Sequence, residues 1–413
     1  MVTTSTQYCN PITNTDQNFL NNPYPELKRL REGAPVYWVS EQKYWLVSRY
    51  DDVQTVMKNN SFGKQIHTWK HSRRPLLAIF FPQLLYLRKT IGSWLLNLNP
   101  PDHTRVRTLI AKAFTPSSIE ALMPEIEQLA DKVAQEMSKK SSPEVPLDIV
   151  HEFAFPFPLA VIGLILGIPV HDGDKLRFWS QQVVGLIGGS RELKKLMTAG
   201  SAMKQFAAYI KPHIEARRKN PTNDLLSVLV QAENEGDKLK TEELVASSIL
   251  FLVAGFETTV NLIANCLICM DRFPDQAALL KANPELVSAF VTETLRFESP
   301  AQVAPRLAQT DTTIGGTSIK NGDMVWLLLG SANRDSAKFA NADTFDMQRQ
   351  ESRNLAFGDG IHRCIGAGLA ESEAAIALKV LNKHFPDLRI QQPVNFQSPF
   401  GLRGPSKLLV TLS

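Results

Sequence analysis

The sequence predicts a mainly α-helical fold in which small β-sheets are segregated from one large helical domain. Most of residues 102–270 place apolar side chains at helical spacing, with polar residues on the other faces and Pro or Gly between segments. The clearest strand patterns lie towards the two ends of the chain. Strands and helices do not alternate, which argues against a βαβ architecture.

Three strand pairs are predicted. Val36–Val39 and Tyr44–Ser48 are aromatic and β-branched and flank a polar turn, so they predict a hairpin. Thr317–Leu329 predicts a second hairpin, because Asn321-Gly322 favours the positive φ values of a tight turn. The third predicted pair closes the C-terminus with two short segments, Leu388–Ile390 and Leu408–Thr411.

Length and composition bound the domain organisation. The chain has 413 residues, 44% of them hydrophobic, which is enough for a large core. The sequence shows no Ser/Gly-rich linker, low-complexity tract or internal repeat. It therefore predicts a single domain over 1–413, with a β-rich part at about 30–50 and a helical core at about 100–300.

Three features of the sequence argue against nucleic-acid binding, secretion and a disulfide framework: its charge, its N-terminus and its cysteines. The net charge of +4 is interspersed, so it does not predict nucleic-acid binding. Residues 1–18 are polar and lack the pattern of a signal peptide or a membrane anchor. The few, irregularly spaced cysteines do not form a disulfide framework, and Cys266 and Cys269 are read as small buried residues rather than a metal or redox pair. We expect a cytoplasmic monomer.

One apolar segment is long enough to cross a bilayer. Leu244–Met270 carries Glu257, Asn261 and Asn265 in its interior, where unpaired polar groups are costly in lipid. A buried core helix explains the segment better, so no membrane span is predicted.

The most informative stretch is residues 357–370, FGDGIHRCIGAGLA, a glycine-rich loop that runs into an apolar helix. Gly358, Gly360 and Gly366 allow tight turns and a close approach to a flat ligand. Cys364 stands where loop becomes helix, and the amides of a helix N-terminus stabilise a thiolate. Taken alone, one cysteine in such a loop is more often a buried structural residue, so the function is inferred from the complete string.

The string closely resembles the haem-binding signature of the cytochrome P-450 family, whose Phe, His, Cys and Gly positions are filled by Phe357, His362, Cys364 and Gly366. The resemblance implies the cytochrome P-450 fold. It also implies haem b, iron protoporphyrin IX, as cofactor, with Cys364 as the axial ligand of the iron.

Other segments resemble the same family in the right order. Glu293-Thr-Leu-Arg296 resembles its ExxR element: the two residues are three apart on a predicted helix and can pair, and Arg349 matches the third partner. Alone, such a pair is most often an ordinary surface pair. The role implied by the resemblance is structural, namely to hold the loop that carries Cys364.

Ala254-Gly-Phe-Glu-Thr-Thr259 resembles the oxygen-activation motif of the family. Ala254 and Gly255 are small enough for the helix to pass close over a haem face, and Thr258 suits a local widening of the helix. Glu257 is implied to relay protons, although a buried acid can also have a purely structural partner.

Residues 101–107, PDHTRVR, resemble the family helix that binds the haem propionates. His103 and Arg107 are four apart on one helical face and suit anionic carboxylates. Arg306 and His362 match the remaining family positions. Each would be an ordinary surface residue if it stood alone.

The resemblance implies a monooxygenase that uses dioxygen to hydroxylate or epoxidise a lipophilic small molecule in secondary or lipid metabolism. Cys364 would donate electron density to the iron, while Thr258 and Glu257 would deliver protons. Their presence favours dioxygen over peroxide as oxidant. Electrons would come from a separate ferredoxin or flavodoxin with its reductase, docking near Arg363. Desaturation, radical coupling and non-catalytic ligand binding by the haem remain alternatives.

The substrate pocket is the least determined part. Residues 80–96 are rich in aromatic and aliphatic side chains and correspond to part of the family's pocket roof, although such residues can also simply cover a core. The predicted pocket residues, carried over from matching segments, are Trp94, Val253, Gln302, Val303 and Phe400.

Overall fold

The computed structural model describes residues 8–66, 69, 81–140, 145–169, 171–187, 192–234, 239–351, 353–396 and 401–412. The described helices are α1 (Gln17–Asn21), α2 (Tyr24–Gly33), α3 (Tyr50–Lys58), α4 (Pro82–Gly92), α5 (Asp102–Ala111), α6 (Pro116–Lys140), α7 (Pro156–Leu166), α8 (Gly173–Ile187), α9 (Leu193–Lys219), α10 (Leu225–Asn234), α11 (Thr241–Arg272), α12 (Pro274–Ala282), α13 (Val287–Phe297), α14 (Leu329–Ala332) and α15 (Ala367–His384). The described strands are β1 (Val36–Val39), β2 (Tyr44–Val47), β3 (Phe62–Gly63), β4 (Leu147–Asp148), β5 (Val303–Ala308), β6 (Thr312–Ile314), β7 (Thr317–Ile319), β8 (Met324–Leu328), β9 (Arg389–Ile390) and β10 (Leu409–Thr411).

The described residues group into two compact units. The sheet unit comprises Met1–His71, Ala130–Ala154 and Thr258–Ser413, and it contains all the strands named above. The helical unit comprises Ser72–Leu129 and Phe155–Glu257. The predicted class, mainly α with small separate sheets, is confirmed.

The main sheet has the strand order β1-β2-β8-β5-β3. Its first hairpin is the predicted one, with Val36 opposite Val47. Strand β8 is parallel to β2 and antiparallel to β5, and all five of its residues are buried. A strand covered on both faces needs apolar side chains throughout, which explains the unbroken run Met-Val-Trp-Leu-Leu.

The predicted second hairpin is wrong. Strands β7 and β8 flank Asn321-Gly322, yet β7 pairs with β6 while β8 joins the main sheet. The actual hairpin turns at Gly315 and Gly316, whose φ values are +53° and +79°. The apolar β8 buries more surface in the centre of a large sheet than beside the short, half-exposed β7.

The C-terminal strand pair is confirmed. Strand β10 pairs with β9, with Val410 opposite Ile390. It also pairs with β4, a two-residue strand that was not predicted. A strand this short has too few residues to show a period of two.

One face of the main sheet supports the segment that carries Cys364. Helix α3 places Tyr50, Val53, Val56 and Met57 into a core cluster that also contains Phe62, Ala308, Val325 and Leu355. The opposite face packs on α2 through a second cluster that includes Leu30 and Trp326. Residues that point to the first face therefore share it with α3 and with Leu355, two residues before the glycine-rich loop.

Helix α11 is the one described helix that is long and apolar enough to cross a membrane, with a mean hydropathy of 1.6 over its most apolar window. Most of that window, 72%, is buried inside the protein, as in the core helix of a globular fold. Cys266 and Cys269 on this helix have no exposed surface, in agreement with their reading as small buried residues.

Candidate active site

Cys364 is exposed, which is unusual for a free cysteine. Its backbone N–H donates to the carbonyl oxygen of Phe357 at 2.9 Å and closes the loop. Helix α15 begins three residues later, at Ala367, after the N-cap Gly366. The sulfur therefore stands on an accessible surface just before a helix N-terminus, where a metal ligand is stabilised as thiolate.

Two of the three glycines predicted to shape the loop have positive φ, +69° at both Gly358 and Gly360. A Cβ on Gly360 would lie 2.5 Å from the backbone oxygen of Met57, so the loop rests directly on α3. Gly366 has φ −91°, a value that any residue adopts, so left-handed backbone does not explain this glycine.

Asp359 anchors the loop, and the sequence analysis missed it. Its carboxylate accepts hydrogen bonds from the Gly360 N–H at 2.7 Å, Gln54 at 2.9 Å and Arg353 at 3.1 Å, with Lys58 at 3.3 Å. Burial raises the pKa of Asp359, but the bonds from Gly360 and Lys58 outweigh burial and keep it below its ordinary value. Gln54 and Lys58 lie on α3, about 300 residues earlier in the chain, so no local pattern predicts them as partners.

Glu293, Arg296 and Arg349 come together as the ExxR pattern predicts. Arg296 donates to both oxygens of Glu293, at 2.8 and 2.7 Å, and Arg349 Nε lies 3.4 Å from Oε1. The Arg296 guanidinium also donates to three carbonyl oxygens, those of Asn333, Ala342 and Thr344. The pair is buried, with 1% and 4% of the two side chains exposed.

This buried network reaches the residues just before the loop. Asn333, whose carbonyl accepts from Arg296, also accepts from the Leu355 N–H through Oδ1 at 2.7 Å. Asn354 donates to the Thr292 carbonyl on α13 at 3.2 Å. Both contacts fix the chain two to three residues ahead of Phe357.

Arg306 is the more buried of the two arginines predicted to contact the cofactor. It lies in β5 with 3% of its surface exposed, and its Nη1 donates to the carbonyl of its neighbour Pro305 at 2.9 Å. Among the described residues, no Asp or Glu forms an ion pair with it. Burial lowers the pKa of Arg306 to about 10. A buried guanidinium in these surroundings suits an anionic ligand group.

His362 ends the short 3₁₀ turn Gly360–His362 of the loop and is partly buried. In the helical unit, His103 is buried and Arg107 partly buried, four residues apart on α5. Arg105, between them, donates to both oxygens of Glu243 and thereby ties α5 to α11.

Ala254 and Gly255 on α11, predicted to be small for the same reason, lie in different surroundings. Ala254 is exposed although Leu252, Val253 and Phe256 around it are buried, so a small side chain faces open space in the middle of a core helix. Gly255 is small because α7 approaches it: a Cβ there would lie 2.8 Å from Ile162 Cδ1.

The expected local widening of the helix near Thr258 is wrong. Residues 241–272 are continuously α-helical, so the regular i to i−4 ladder passes through the motif. Thr258 is partly buried, and Thr259 is buried.

Glu257 has a perturbed acid–base equilibrium. Its Oε1 is fully buried and has no hydrogen-bond partner among the residues that the structure describes, although the side chain as a whole is only partly covered. Burial raises the pKa of Glu257 to about 7, against lowering by the nearby Ser180 hydroxyl and by the charge of Arg177. Both residues lie on α8. The carboxyl can therefore exchange a proton near neutral pH.

The predicted pocket residues lie in varied surroundings. Trp94 and Val253 are buried, with 2% and 1% exposed, and the Trp94 indole N–H has no hydrogen-bond partner within the described part of the chain. Gln302 is buried and donates to the Ser299 carbonyl at 2.7 Å, while Val303 is partly buried. Phe400 lies outside the described residues.

These donors fit a haem. An accessible cysteine before a helix N-terminus suits the iron, an exposed alanine within a core helix leaves room for a flat ring, and a buried arginine suits a carboxylate.

Comparison with known proteins agrees with this chemistry. The sequence profile of the family described as Cytochrome P450 matches residues 31–402. The polyketide biosynthesis cytochrome P450 PksS of Bacillus subtilis (strain 168) is 35% identical over 407 residues, covering 96% of this chain and 97% of that protein.

Solved structures are similar over nearly the whole chain. The epothilone D-bound cytochrome P450epoK superposes with a TM-score of 0.88 at 31% identity, covering 98% of this chain and 99% of the other. P450BioI in complex with an acyl carrier protein ligated to hexadec-9Z-enoic acid gives 0.87 at 34% identity, covering 96% and 100%. Since both the family profile and the relatives span almost all of the sequence, the chain belongs to the cytochrome P450 family of haem-dependent monooxygenases.

Proposed function

We propose that this protein is a cytoplasmic haem b monooxygenase that takes electrons from a separate ferredoxin or flavodoxin system and oxidises a long, lipophilic acyl or polyketide-like substrate. The observation that carries the proposal is the exposed Cys364 in a loop fixed from two sides, by Asp359 and by the residues bonded to the Glu293–Arg296 pair. A structural cysteine would be buried, as Cys266 and Cys269 are.

Each predicted residue has a role that its surroundings support. Cys364 would bind the iron, with Phe357 and Gly366 beside it in the loop. Arg306 and His362 in the sheet unit, and His103 and Arg107 in the helical unit, would bind the haem carboxylates. When bound, the haem iron supplies the centre at which dioxygen is reduced and its O–O bond is cleaved.

Two residues of α11, Glu257 and Thr258, would deliver the protons. Glu257, whose pKa of about 7 lets it both accept and release a proton, would pass protons to the Thr258 hydroxyl. Thr258 would hold a proton at its hydroxyl oxygen. Ala254, one turn before Thr258 and exposed, would leave space for the ring and the small oxidant.

A lipophilic substrate is supported by two kinds of observation. The relatives named above include a polyketide-biosynthesis protein and structures with epothilone D and with a carrier-linked hexadecenoic acid. In this chain, Trp94 and Val253 offer apolar surface, and Trp94 keeps one buried N–H for an acceptor on the substrate. Gln302, Val303 and Phe400 remain pocket residues predicted from the sequence.

The electron donor is proposed to dock on the loop side of the sheet unit. A cleft of about 350 Å³ lies there, lined by residues that include Arg353, Phe357, Arg363 and Glu371. Ile361 adjoins these residues with 45% of its surface exposed. Two arginines around an exposed aliphatic side chain suit a small acidic protein.

The assignment is tested by the difference spectrum of the reduced protein with carbon monoxide. We expect the Soret band that gives the family its name, and we expect Cys364→Ala to abolish it. Cys9→Ala, which changes a partly buried cysteine in another part of the chain, should leave the band intact. A histidine-type spectrum for the unchanged protein would refute the proposal.

Hydroxylation or epoxidation is distinguished from desaturation and radical coupling by the mass of the product. With ¹⁸O₂ and a surrogate ferredoxin system, an oxygenase product gains one heavy oxygen atom, whereas desaturation and coupling products gain none. Tight ligand binding without any substrate-dependent electron consumption would favour a non-catalytic haem protein.

A further inference from the structure

Ser180 on α8 brings a buried hydroxyl close to the carboxyl of Glu257 on α11, and both residues belong to the helical unit. The serine has no exposed surface. Neither its Oγ nor Oε1 of Glu257 makes a hydrogen bond with any residue that the structure describes. Burial raises the pKa of Glu257, and the nearby hydroxyl opposes that rise. A donor and an acceptor, each buried and without a partner, thus lie near each other.

Such a pair calls for a physical reason, because a buried polar group without a hydrogen bond costs free energy. The hydroxyl becomes useful when Glu257 is ionised. A carboxylate accepts much stronger hydrogen bonds than a neutral carboxyl group does, so loss of the proton draws the hydroxyl towards it. Ser180 therefore suits the short period in which Glu257 has given its proton away.

Arg177 connects this buried pair with solvent. It lies one turn before Ser180 on the same face of α8 and is partly exposed. Its guanidinium stands 4.8 Å from the centre of the Phe155 ring, which packs edge-on against Phe256. In the described part of the chain it makes no ion pair with Glu257, although its charge acts on that carboxyl. An ion pair would keep Glu257 ionised, whereas an arginine held on an aromatic ring leaves the acid free to take up a proton.

We propose that Ser180 returns the proton to Glu257 after each transfer. The hydroxyl proton passes to the carboxylate, and the serine oxygen takes a proton from solvent on the Arg177 side. One proton leaves the solvent, the carboxyl becomes neutral, and the serine is unchanged. The inference rests on the proposed function, in which Glu257 supplies protons to Thr258. Ser180 acts through Glu257, so it is a positioning residue.

The first test is an infrared titration of the Glu257 carboxyl, identified as the band that Glu257→Gln removes. We expect Ser180→Ala to move the midpoint to higher pH by about half to one unit, because the ionised form loses one hydrogen bond. Ser180→Thr keeps the hydroxyl and should restore the midpoint of the parent. A hydroxyl with a merely structural role would leave the midpoint where it is.

The second test is the exchange rate of the carboxyl proton. The protein is mixed into D₂O at pH 5, where Glu257 is protonated, and the shift of the same infrared band is followed in time. We expect exchange about tenfold slower in Ser180→Ala, since one hydrogen bond is missing along the route. Ser180→Thr should again restore the rate. An unchanged rate in Ser180→Ala would overturn the proposal, whether or not the midpoint moved.

Ser247→Ala is the matched control. Ser247 is also fully buried, and its Oγ likewise has no hydrogen-bond partner among the described residues. It lies on the same helix as Glu257 but about three turns earlier, so both the midpoint and the rate should equal those of the parent. Equal slowing in Ser247→Ala and Ser180→Ala would contradict a specific route through Ser180.

These measurements fail independently of the proposed function. Neither of them uses a substrate, an electron donor or the carbon monoxide spectrum. Absence of a thiolate spectrum in the unchanged protein would defeat the proposed function and leave the exchange rates as measured. Unaltered exchange in Ser180→Ala, with that spectrum present, would defeat only the role of Ser180.

Discussion

Arg296 donates two parallel hydrogen bonds to Glu293, which lies one turn earlier on α13. Nε donates to Oε2 at 2.8 Å and Nη2 to Oε1 at 2.7 Å. The carboxylate also accepts from the Asp346 N–H at 2.9 Å and lies 3.4 Å from Arg349. Two guanidinium groups and one amide thus converge on a single buried acid. Its negative charge compensates two cations whose remaining described hydrogen bonds all go to carbonyl oxygens.

Glu293→Gln should therefore be strongly destabilising. The amide keeps the shape but leaves Arg296 buried without its counter-charge, which costs about 3 to 5 kcal/mol of unfolding free energy. Urea unfolding followed by circular dichroism measures the loss. We also expect a smaller fraction of the protein to retain haem, because Asn333 and Leu355 link this pair to the loop.

Glu136→Gln provides the comparison for that experiment. Glu136 pairs with Lys139 at the same i, i+3 spacing, but the two side chains are 58% and 68% exposed. Exposed pairs contribute little to stability, because water and salt screen the two charges. Equal losses in the two variants would show that burial of the Glu293–Arg296 pair has no energetic consequence.

Gly360→Ala tests the contact between the loop and α3. The residue has φ +69°, and its Cβ would meet the Met57 backbone oxygen at 2.5 Å. We expect a loss of about 2 to 5 kcal/mol from the left-handed backbone and the overlap together. Gly316→Ala shares the positive φ, at +79°, but nothing lies within 4 Å of its Cβ, so about 1 kcal/mol is expected. Thermal unfolding of both variants separates the two causes, and an equal loss would rule out the overlap.

Local patterns predicted the parts of the site that are close in sequence. The ExxR pair is three residues apart on one helix, and the loop string is contiguous, so both could be read directly. Asp359 was passed over because its partners Gln54 and Lys58 lie on α3.

The errors in the fold have the same origin. Asn321-Gly322 does form a turn, with Gly322 at φ +80° and the Asp323 N–H bonded to the Lys320 carbonyl. What the turn residues do not encode is that β8 belongs between β2 and β5. Similarly, the motif Ala254–Thr259 on α11 does not predict that Ile162 of α7 occupies the space beside Gly255. Both outcomes depend on tertiary packing.

Asp359→Asn should lower stability in a pH-dependent way. The folded pKa of Asp359 is depressed, so its contribution is complete above the unfolded pKa of ~3.9 and disappears as the pH falls through the folded pKa. The stability difference between the parent and the variant should therefore be largest near pH 7 and shrink below about pH 4. Urea midpoints at pH 7, 5 and 3 provide the measurement. A difference that stayed constant with pH would mean that the charge of Asp359 is not what holds Lys58 and Arg353.

Thr258→Ala should separate haem binding from productive oxygen use. The side chain is not a ligand, so we expect the variant to retain haem and its carbon monoxide spectrum. Without the hydroxyl, proton delivery slows, and more of the consumed reducing equivalents should appear as hydrogen peroxide. Peroxide formed per NADPH consumed is the measurement. Thr258→Ser restores a hydroxyl and should restore coupling; tight coupling in the alanine variant would refute the role in proton delivery.

Glu257→Gln should change how stability depends on pH in the opposite sense to Asp359→Asn. The pKa of Glu257 rises from 4.5 to about 7, first because of burial, so the folded protein holds this proton more tightly than the unfolded chain. Below pH 4.5 both states are protonated and the acid costs nothing. Between pH 4.5 and about 7 the unfolded chain releases this proton while the folded protein still holds it, which favours the unfolded state. The parent should therefore become progressively less stable than the glutamine variant over this pH range.

Melting temperatures of the Glu257→Gln variant and the parent at pH 5 and pH 8 provide the test, with the exposed Glu285→Gln as control. We expect the melting temperature of the Glu257→Gln variant to rise relative to that of the parent between pH 5 and pH 8, while the difference between the control and the parent stays constant. The gain should level off above pH 8, because by then Glu257 is ionised in both states. A parallel pH dependence in the Glu257→Gln variant and the parent would mean that the carboxyl ionises normally, and α11 would then lack the group that exchanges protons near neutrality.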